Sequence, residues 1–310
     1  MASSGWKGQT RGGTFGYRFF IWLIRTAGIR VSYAFLYLVV PYFVLFAPKA
    51  TKAIRSYARN LPGAGRGASW KMVFRNFFML GKILIDKIAI NGGMSGKYSF
   101  AFENFDEASR ILDSGKGVIM LGAHVGNWEI GAPFFDRYGS KLNIVMFDNE
   151  HQKIKEMLES NAMPHDYKII PVNADSLAHI FMITEALRRG EYVCFQGDRY
   201  TESEKTIGGT LLGKKALFPL GPFILASRLR TPVIFYVAMR EKGMEYTFRF
   251  SVIADGESKV SPEYLLERYT AILDEILEKY PEQWFNYYDF WKPDTGGHAD
   301  TPKPKQTLDK

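Results

Sequence analysis

The chain has 310 residues, 46% of them hydrophobic, with 40 Lys and Arg against 32 Asp and Glu. That apolar share is enough to bury a core in one large domain or two small ones, and it excludes disorder, collagen or coiled coil as the main architecture. A single cysteine, Cys194, rules out an internal disulfide framework, and no Cys/His cluster has the spacing of a structural zinc site.

The net charge of +8 is unevenly laid out, because residues 1–85 carry thirteen basic side chains and no acidic one, so the remainder is net acidic. Residues 1–60 therefore read as a basic, hydrophobic membrane-anchoring segment. Phe15 to Ile29 is aromatic and aliphatic but interrupted by Arg18 and Arg25, which suits a helix lying among lipid headgroups. Val31 to Pro48 then runs eighteen residues without a charge, at the lower limit for a hydrocarbon core of ~30 Å. Lys49, Lys52, Arg55 and Arg59 follow it in place of the small residues of a cleavage site, so the run is expected to be retained. Basic residues flank both ends and Pro41 lies inside, which leaves spanning and monotopic anchoring both open. A helical stretch from about Arg66 to Ile90 presents Val73, Phe77, Leu80, Leu84 and Ile88 as a packing stripe.

From about residue 98 short β-rich runs alternate with amphipathic segments, predicting a single α/β domain over 61–291 with a mixed sheet flanked by helices. Strands are expected at 118–121, 143–147, 168–172, 192–195, 232–237 and 245–253. Helices are expected at 105–114, 127–137, 152–161 and 176–189, the last with Asp175 as N-cap. Ser261-Pro262 opens a further helix whose buried face is Leu265, Tyr269, Ile272, Ile276 and Tyr280. Residues 292–310 are too polar to bury themselves and read as a flexible tail.

The strand ending at Leu121 delivers His124, and Glu129 follows after Val125-Gly126-Asn127-Trp128, at the strand edge where open α/β sheets place their sites. On a regular helix residues five apart point about 140° from each other, so pairing needs His124 in a turn and Glu129 on the helix behind it. A carboxylate on one imidazole nitrogen raises the basicity of the other, giving a general base.

Leu121-Gly-Ala-His-Val-Gly-Asn-Trp-Glu-Ile-Gly131 closely resembles the first motif of the late lipid A acyltransferases, within the lysophospholipid acyltransferase superfamily. Gln196-Gly197-Asp198-Arg199 resembles the superfamily's second block, Leu217-Phe-Pro-Leu-Gly221-Pro222 the third, and Thr231-Pro-Val-Ile-Phe235 stands where the fourth would be. Tyr280-Pro-Glu-Gln-Trp-Phe285 and Trp291 are similar to the family's closing motif, although Asn286-Tyr-Tyr-Asp-Phe290 replaces the more basic residues usually found there. The resemblance implies transfer of a fatty acyl group from an acyl carrier protein or coenzyme A thioester to a hydroxyl of a lipid A precursor, with no metal and no cofactor. It implies His124 as base and Glu129 as the carboxylate that holds it. Arg199, with Asp198, Gly197, Gly221 and Asn127, is the candidate oxyanion or phosphate-binding set, and Trp128, Phe134 and Phe135 are candidates to line the acyl pocket. The expected partners are acyl carrier protein, membrane lipids and the lipid A precursor, at a bacterial inner membrane with the site facing the cytoplasm. Another lipid acceptor, a thioesterase and a non-catalytic membrane binder remain as alternatives.

A nucleic-acid partner is not expected, because the body lacks both a basic face and an RNA-reading motif. Gly208 to Lys215 nearly matches a phosphate-binding loop but has Lys where magnesium needs Ser or Thr.

Overall fold

A computed structural model of the chain describes residues 14–63, 68–130, 141–147, 167–172, 177–201 and 204–291. At its centre β2 (Val118–Gly122) is buried along its whole length, as a strand covered on both faces must be. Its side chains alternate between two cores. Ile119 and Leu121 enter one, Val118 and Met120 the other.

Beside β2 lie β1 (Ser99–Glu103), β3 (Leu142–Phe147), β4 (Lys168–Val172), β5 (Tyr192–Gln196), β8 (Val233–Arg240) and β9 (Glu245–Ala254). Among the described residues they form a seven-stranded sheet in the order β1-β9-β8-β2-β5-β3-β4. Neighbours are parallel except β8 and β9, which pair antiparallel across a short turn. The sheet is therefore mixed, as the sequence predicts.

On one face α6 (Ala178–Arg188), α7 (Leu220–Leu229) and α8 (Pro262–Lys279) cover the core around Ile119, Phe223 and Tyr269. Ser261 caps α8 by accepting from the Tyr264 N–H at 3.1 Å, and Pro262 occupies the first helical position. On the other face α1 (Thr14–Ala27), α2 (Ile29–Phe46), α3 (Pro48–Ala58) and α4 (Ala68–Ala89) share a core with Tyr192, Tyr236 and Phe248. Helix α5 (Phe105–Leu112) adds Ala108 and Leu112 to it.

Helix α2 is long and apolar enough to cross a membrane, and its apolar window is only 22% buried. It continues through Pro41. Leu36 and Val40 face the body, and α4 comes so close that a Cβ on Gly81 would stand 2.6 Å from the Leu36 side chain. Leu38, Tyr42, Leu45 and Phe46 are exposed on the opposite side. An exposed apolar helix face of this size marks an interaction surface, here consistent with membrane association.

One polar anchor, built on Asp86, ties these helices to the sheet. Asp86 of α4 is fully buried and pairs with Arg240 of β8, Nε to Oδ2 at 2.7 Å. Tyr98 donates to the same carboxylate at 3.0 Å, Tyr246 at 2.5 Å, and Tyr33 of α2 also bonds it.

Some sequence expectations shift. Gly208 to Lys215 is the tip of a β-hairpin formed by β6 (Thr206–Leu211) and β7 (Lys214–Pro219), with Leu212 and Gly213 both at positive φ. Paired positive angles are what a tight two-residue hairpin turn requires. Helix α6 begins at Ala178 with Leu177 at its N-cap position, while Asp175 and the expected helix 152–161 lie outside the described residues. Of the expected helix 127–137, residues 128–130 form one 3-10 turn and the rest lies outside them.

Candidate active site

Strands β2 and β5 run side by side with Gly122 opposite Gln196, and the Gly197 N–H donates to the Gly122 carbonyl at 2.9 Å. Two residues beyond that last pair, β2 delivers His124 and β5 delivers Asp198. Asp198 is fully buried, and its Oδ1 lies 2.7 Å from His124 Nδ1. Its Oδ2 accepts from the His124 backbone N–H at 3.0 Å. One carboxylate thus fixes both the ring and the backbone that carries it. With the acid ionised, the imidazole proton sits on Nδ1 and Nε2 is the basic nitrogen. Nε2 has no hydrogen-bond partner among the described residues, and the side chain keeps 21% of its surface exposed, enough for a reactant to reach.

The carboxylate is itself held. Trp284 donates its indole N–H to Oδ2 at 3.0 Å, and the Tyr288 hydroxyl donates to the Asp198 carbonyl at 3.0 Å. The turn carrying His124 is clamped by three backbone bonds: Phe285 N–H to His124 O at 2.9 Å, Gly126 N–H to Gln283 O at 2.9 Å, and Asn127 N–H to Ala238 O at 2.8 Å. Gly126 has φ of 64°, and a Cβ there would stand 2.2 Å from the Ala238 carbonyl oxygen, so the turn needs glycine.

Burial lowers the His124 pKa below its ordinary value and the Arg199 charge lowers it further, while Asp198 and Glu129 pull it back. For Asp198, burial pushes upward, but His124, Arg199 and the Trp284 N–H outweigh it and hold the carboxyl below the usual range. The pair rests as carboxylate and neutral imidazole, the state a general base requires.

The carboxylate on His124 is therefore Asp198, where the sequence suggested Glu129. The reason is geometric: the Gly126 turn and the 3-10 turn at 128–130 lead Glu129 to an ion pair with Lys87 of α4, while strand register brings Asp198 to the ring. Glu129 acts on His124 through its charge alone. Glu129→Gln should thus move the apparent His124 pKa lower, and Lys87→Met, which leaves that carboxylate unneutralised, should move it higher. The pH dependence of His124 carbethoxylation, read by mass spectrometry, checks both; unmoved titrations would mean that Glu129 is electrically irrelevant to the ring.

The other predicted residues divide. Arg199 donates from Nη2 to the Phe285 carbonyl at 2.6 Å, and its charge reaches His124 and Asp198. Gly197 packs against the Tyr269 ring. Asn127 turns inward to Tyr246 and the Ile83 carbonyl, away from any anion outside. Gly221 is exposed in the first turn of α7. Trp128 packs against the core shared with α1–α4, and Phe134 and Phe135 lie outside the described residues. Sequence reasoning assigned no role to Trp284 or Tyr288. Their signal was the aromatic density of the closing segment Tyr280 to Trp291, where a buried indole N–H or phenol O–H needs an acceptor. Among the described residues no group of three or more His, Cys, Asp or Glu is placed to hold a metal ion.

A family profile described as bacterial lipid A biosynthesis acyltransferase matches residues 66–293, from the start of α4 through the closing aromatic segment. No curated protein matched the chain.

Proposed function

The chain belongs to the bacterial lipid A biosynthesis acyltransferase family and is an acyltransferase acting on lipid A; from that premise we propose that His124 is its general base and a fatty acyl thioester its donor. The donor's thiol is that of acyl carrier protein or coenzyme A, and the acceptor is a hydroxyl of a lipid A precursor. As the acceptor oxygen attacks the thioester carbon, its proton passes to Nε2 of His124. Asp198 then stabilises the imidazolium through Nδ1. Collapse of the tetrahedral intermediate breaks the C–S bond, and the imidazolium returns its proton to the departing thiolate, leaving an ester and a free thiol. Arg199 supplies positive charge beside the developing oxyanion.

The observation that carries this reading is the buried Asp198 bonded to both the ring and the backbone of a histidine at a central strand edge. A histidine so held is oriented before substrate arrives, which is how positioning lowers a barrier. The exposed apolar face of α2 and the cations that follow it support docking at the cytoplasmic face of the inner membrane, where an acyl thioester and an anionic lipid meet.

Mass spectrometry of lipid A and of the total lipid extract from cells with and without the protein tests the assignment. A lipid A species heavier by one acyl chain is expected only where the protein is made. The same gain on a different lipid would overturn the precursor assignment, and no gain anywhere would overturn acyl transfer.

A further inference from the structure

Helix α3 begins two residues after α2 ends, and Lys52, Arg55 and its C-cap residue Arg59 fall three and four apart, so the three share one face. The opposite face, through Ala53 and Tyr57, is buried in the body. The cationic face looks into a cavity of about 650 Å³. Leu45 of α2 forms its apolar lip, Trp70 of α4 a wall, and Asp289 contributes one carboxylate. Arg55 lies over the Trp70 ring with its guanidinium carbon 4.4 Å from the centroid. Its Nε is buried and has no hydrogen-bond partner among the described residues. Asp289 is engaged by the Ser56 hydroxyl at 3.3 Å, so three cations face one acid that already has a partner.

Location says which anion such a cavity takes. It opens where the apolar helix ends, beside exposed Leu45 and Phe46. With α2 against or across a bilayer, that level is the phosphate layer just outside the hydrocarbon. The aromatic wall stiffens the Arg55 fork, and a planar set of N–H donors of this kind suits a tetrahedral oxyanion. We infer that Lys52, Arg55 and Arg59 form a binding site for the phosphate of an anionic membrane lipid, at the junction of the anchoring helix and the catalytic body. The site goes beyond the acyl-transfer reading but rests on its membrane placement. It is one side-chain layer from the dyad. Tyr57, next to Ser56, packs edge-on against Trp284, and Tyr288, next to Asp289, holds the Asp198 carbonyl. A phosphate held there fixes the height of a lipid relative to His124.

The phosphate is either the acceptor's own or that of the surrounding phospholipid, and two arms separate these. The full chain in neutral detergent micelles is titrated with dihexanoylphosphatidic acid, with dihexanoylphosphatidylcholine as control, using calorimetry. Native protein should bind the acidic lipid saturably and lose affinity as salt rises. Arg55→Gln and the double variant Lys52→Gln/Arg59→Gln should each bind it about tenfold or more weakly. Lys52 and Arg59 are exposed, so the double variant should keep the native melting temperature. In the second arm, the Michaelis constant for the acceptor is measured in the same micelles. A tenfold rise at unchanged kcat assigns the phosphate to the acceptor; an unchanged constant together with lost phosphatidic acid binding assigns it to the surrounding lipid. Equal phosphatidic acid binding by native and variant proteins would overturn the site. So would an equal loss in Lys259→Gln/Arg268→Gln, which removes two exposed cations elsewhere. Absent acyl transfer in the native protein would count against the enzymatic reading and leave the binding arm intact.

Discussion

His124→Ala is expected to abolish acyl transfer, and Asp198→Asn to lower kcat by about three to four orders of magnitude while the protein stays folded. The alanine removes the nitrogen proposed to take the acceptor's proton. It leaves the backbone bonds of the turn, from His124 N–H to Asp198 and from Phe285 to His124 O, intact. Asparagine at 198 preserves shape and can still receive the backbone N–H, but its amide no longer stabilises an imidazolium, and it allows the ring to turn its basic nitrogen inward. The native enzyme should lose kcat/KM only at acidic pH. Protonation of His124 is what removes the base, and burial together with Arg199 sets that protonation below the ordinary histidine range. Purified enzyme with an acyl thioester and a lipid A precursor, followed across pH, checks both variants. Native-like turnover in either one would remove the dyad from the mechanism.

The second large effect is on stability. Asp86→Ala should cost about 3–5 kcal/mol and lower the melting temperature by on the order of 10 °C, because it strands Arg240 as an uncompensated buried charge. The carboxylate satisfies Arg240, Tyr98, Tyr246 and Tyr33 together. Removing it leaves three hydroxyls and a guanidinium to find other acceptors in a place closed to water. Asp86→Ala/Arg240→Met should recover part of the loss, since an apolar pair of similar volume carries no desolvation penalty. Thermal unfolding in detergent distinguishes the outcomes. A single variant that melts with the native protein would mean that Arg240 has another anion to turn to.

Local features of the fold are legible in the sequence. Unbroken apolar runs at 118–121 and 192–195 are strands because a strand covered on both faces cannot alternate, and His124 follows one of them at the edge where sites form. The Ser261-Pro262 start of α8 was equally plain, because cap and first-turn chemistry act within four residues. The carboxylate partner of His124 was not. Asp198 reaches the ring only through the pairing of β2 with β5, across 74 residues of chain, and periodicity within a segment carries no record of which strand lies beside it. Glu129 attracted the role because it is near in sequence, and the positive φ of Gly126 sent it elsewhere. The hairpin β6–β7 escaped for a related reason: Gly208, Gly209, Lys214 and Lys215 are poor strand formers individually. Their order comes from the pairing of β6 with β7 and from Leu211 and Phe218 entering the core.

The closing segment holds the site from outside the sheet. Gln283 bonds the backbone of Arg240 and receives Gly126, Phe285 holds His124, and Trp284 and Tyr288 hold Asp198. Each of these residues comes after the last helix of the body in chain order. During synthesis, then, the N-terminal helices and the strands are complete before the pair has its retaining bonds. Such a nascent chain carries a histidine and an aspartate, but not yet a fixed pair. A chain cut after α8 would hold both residues without the bonds from Trp284 and Tyr288 that retain the pair.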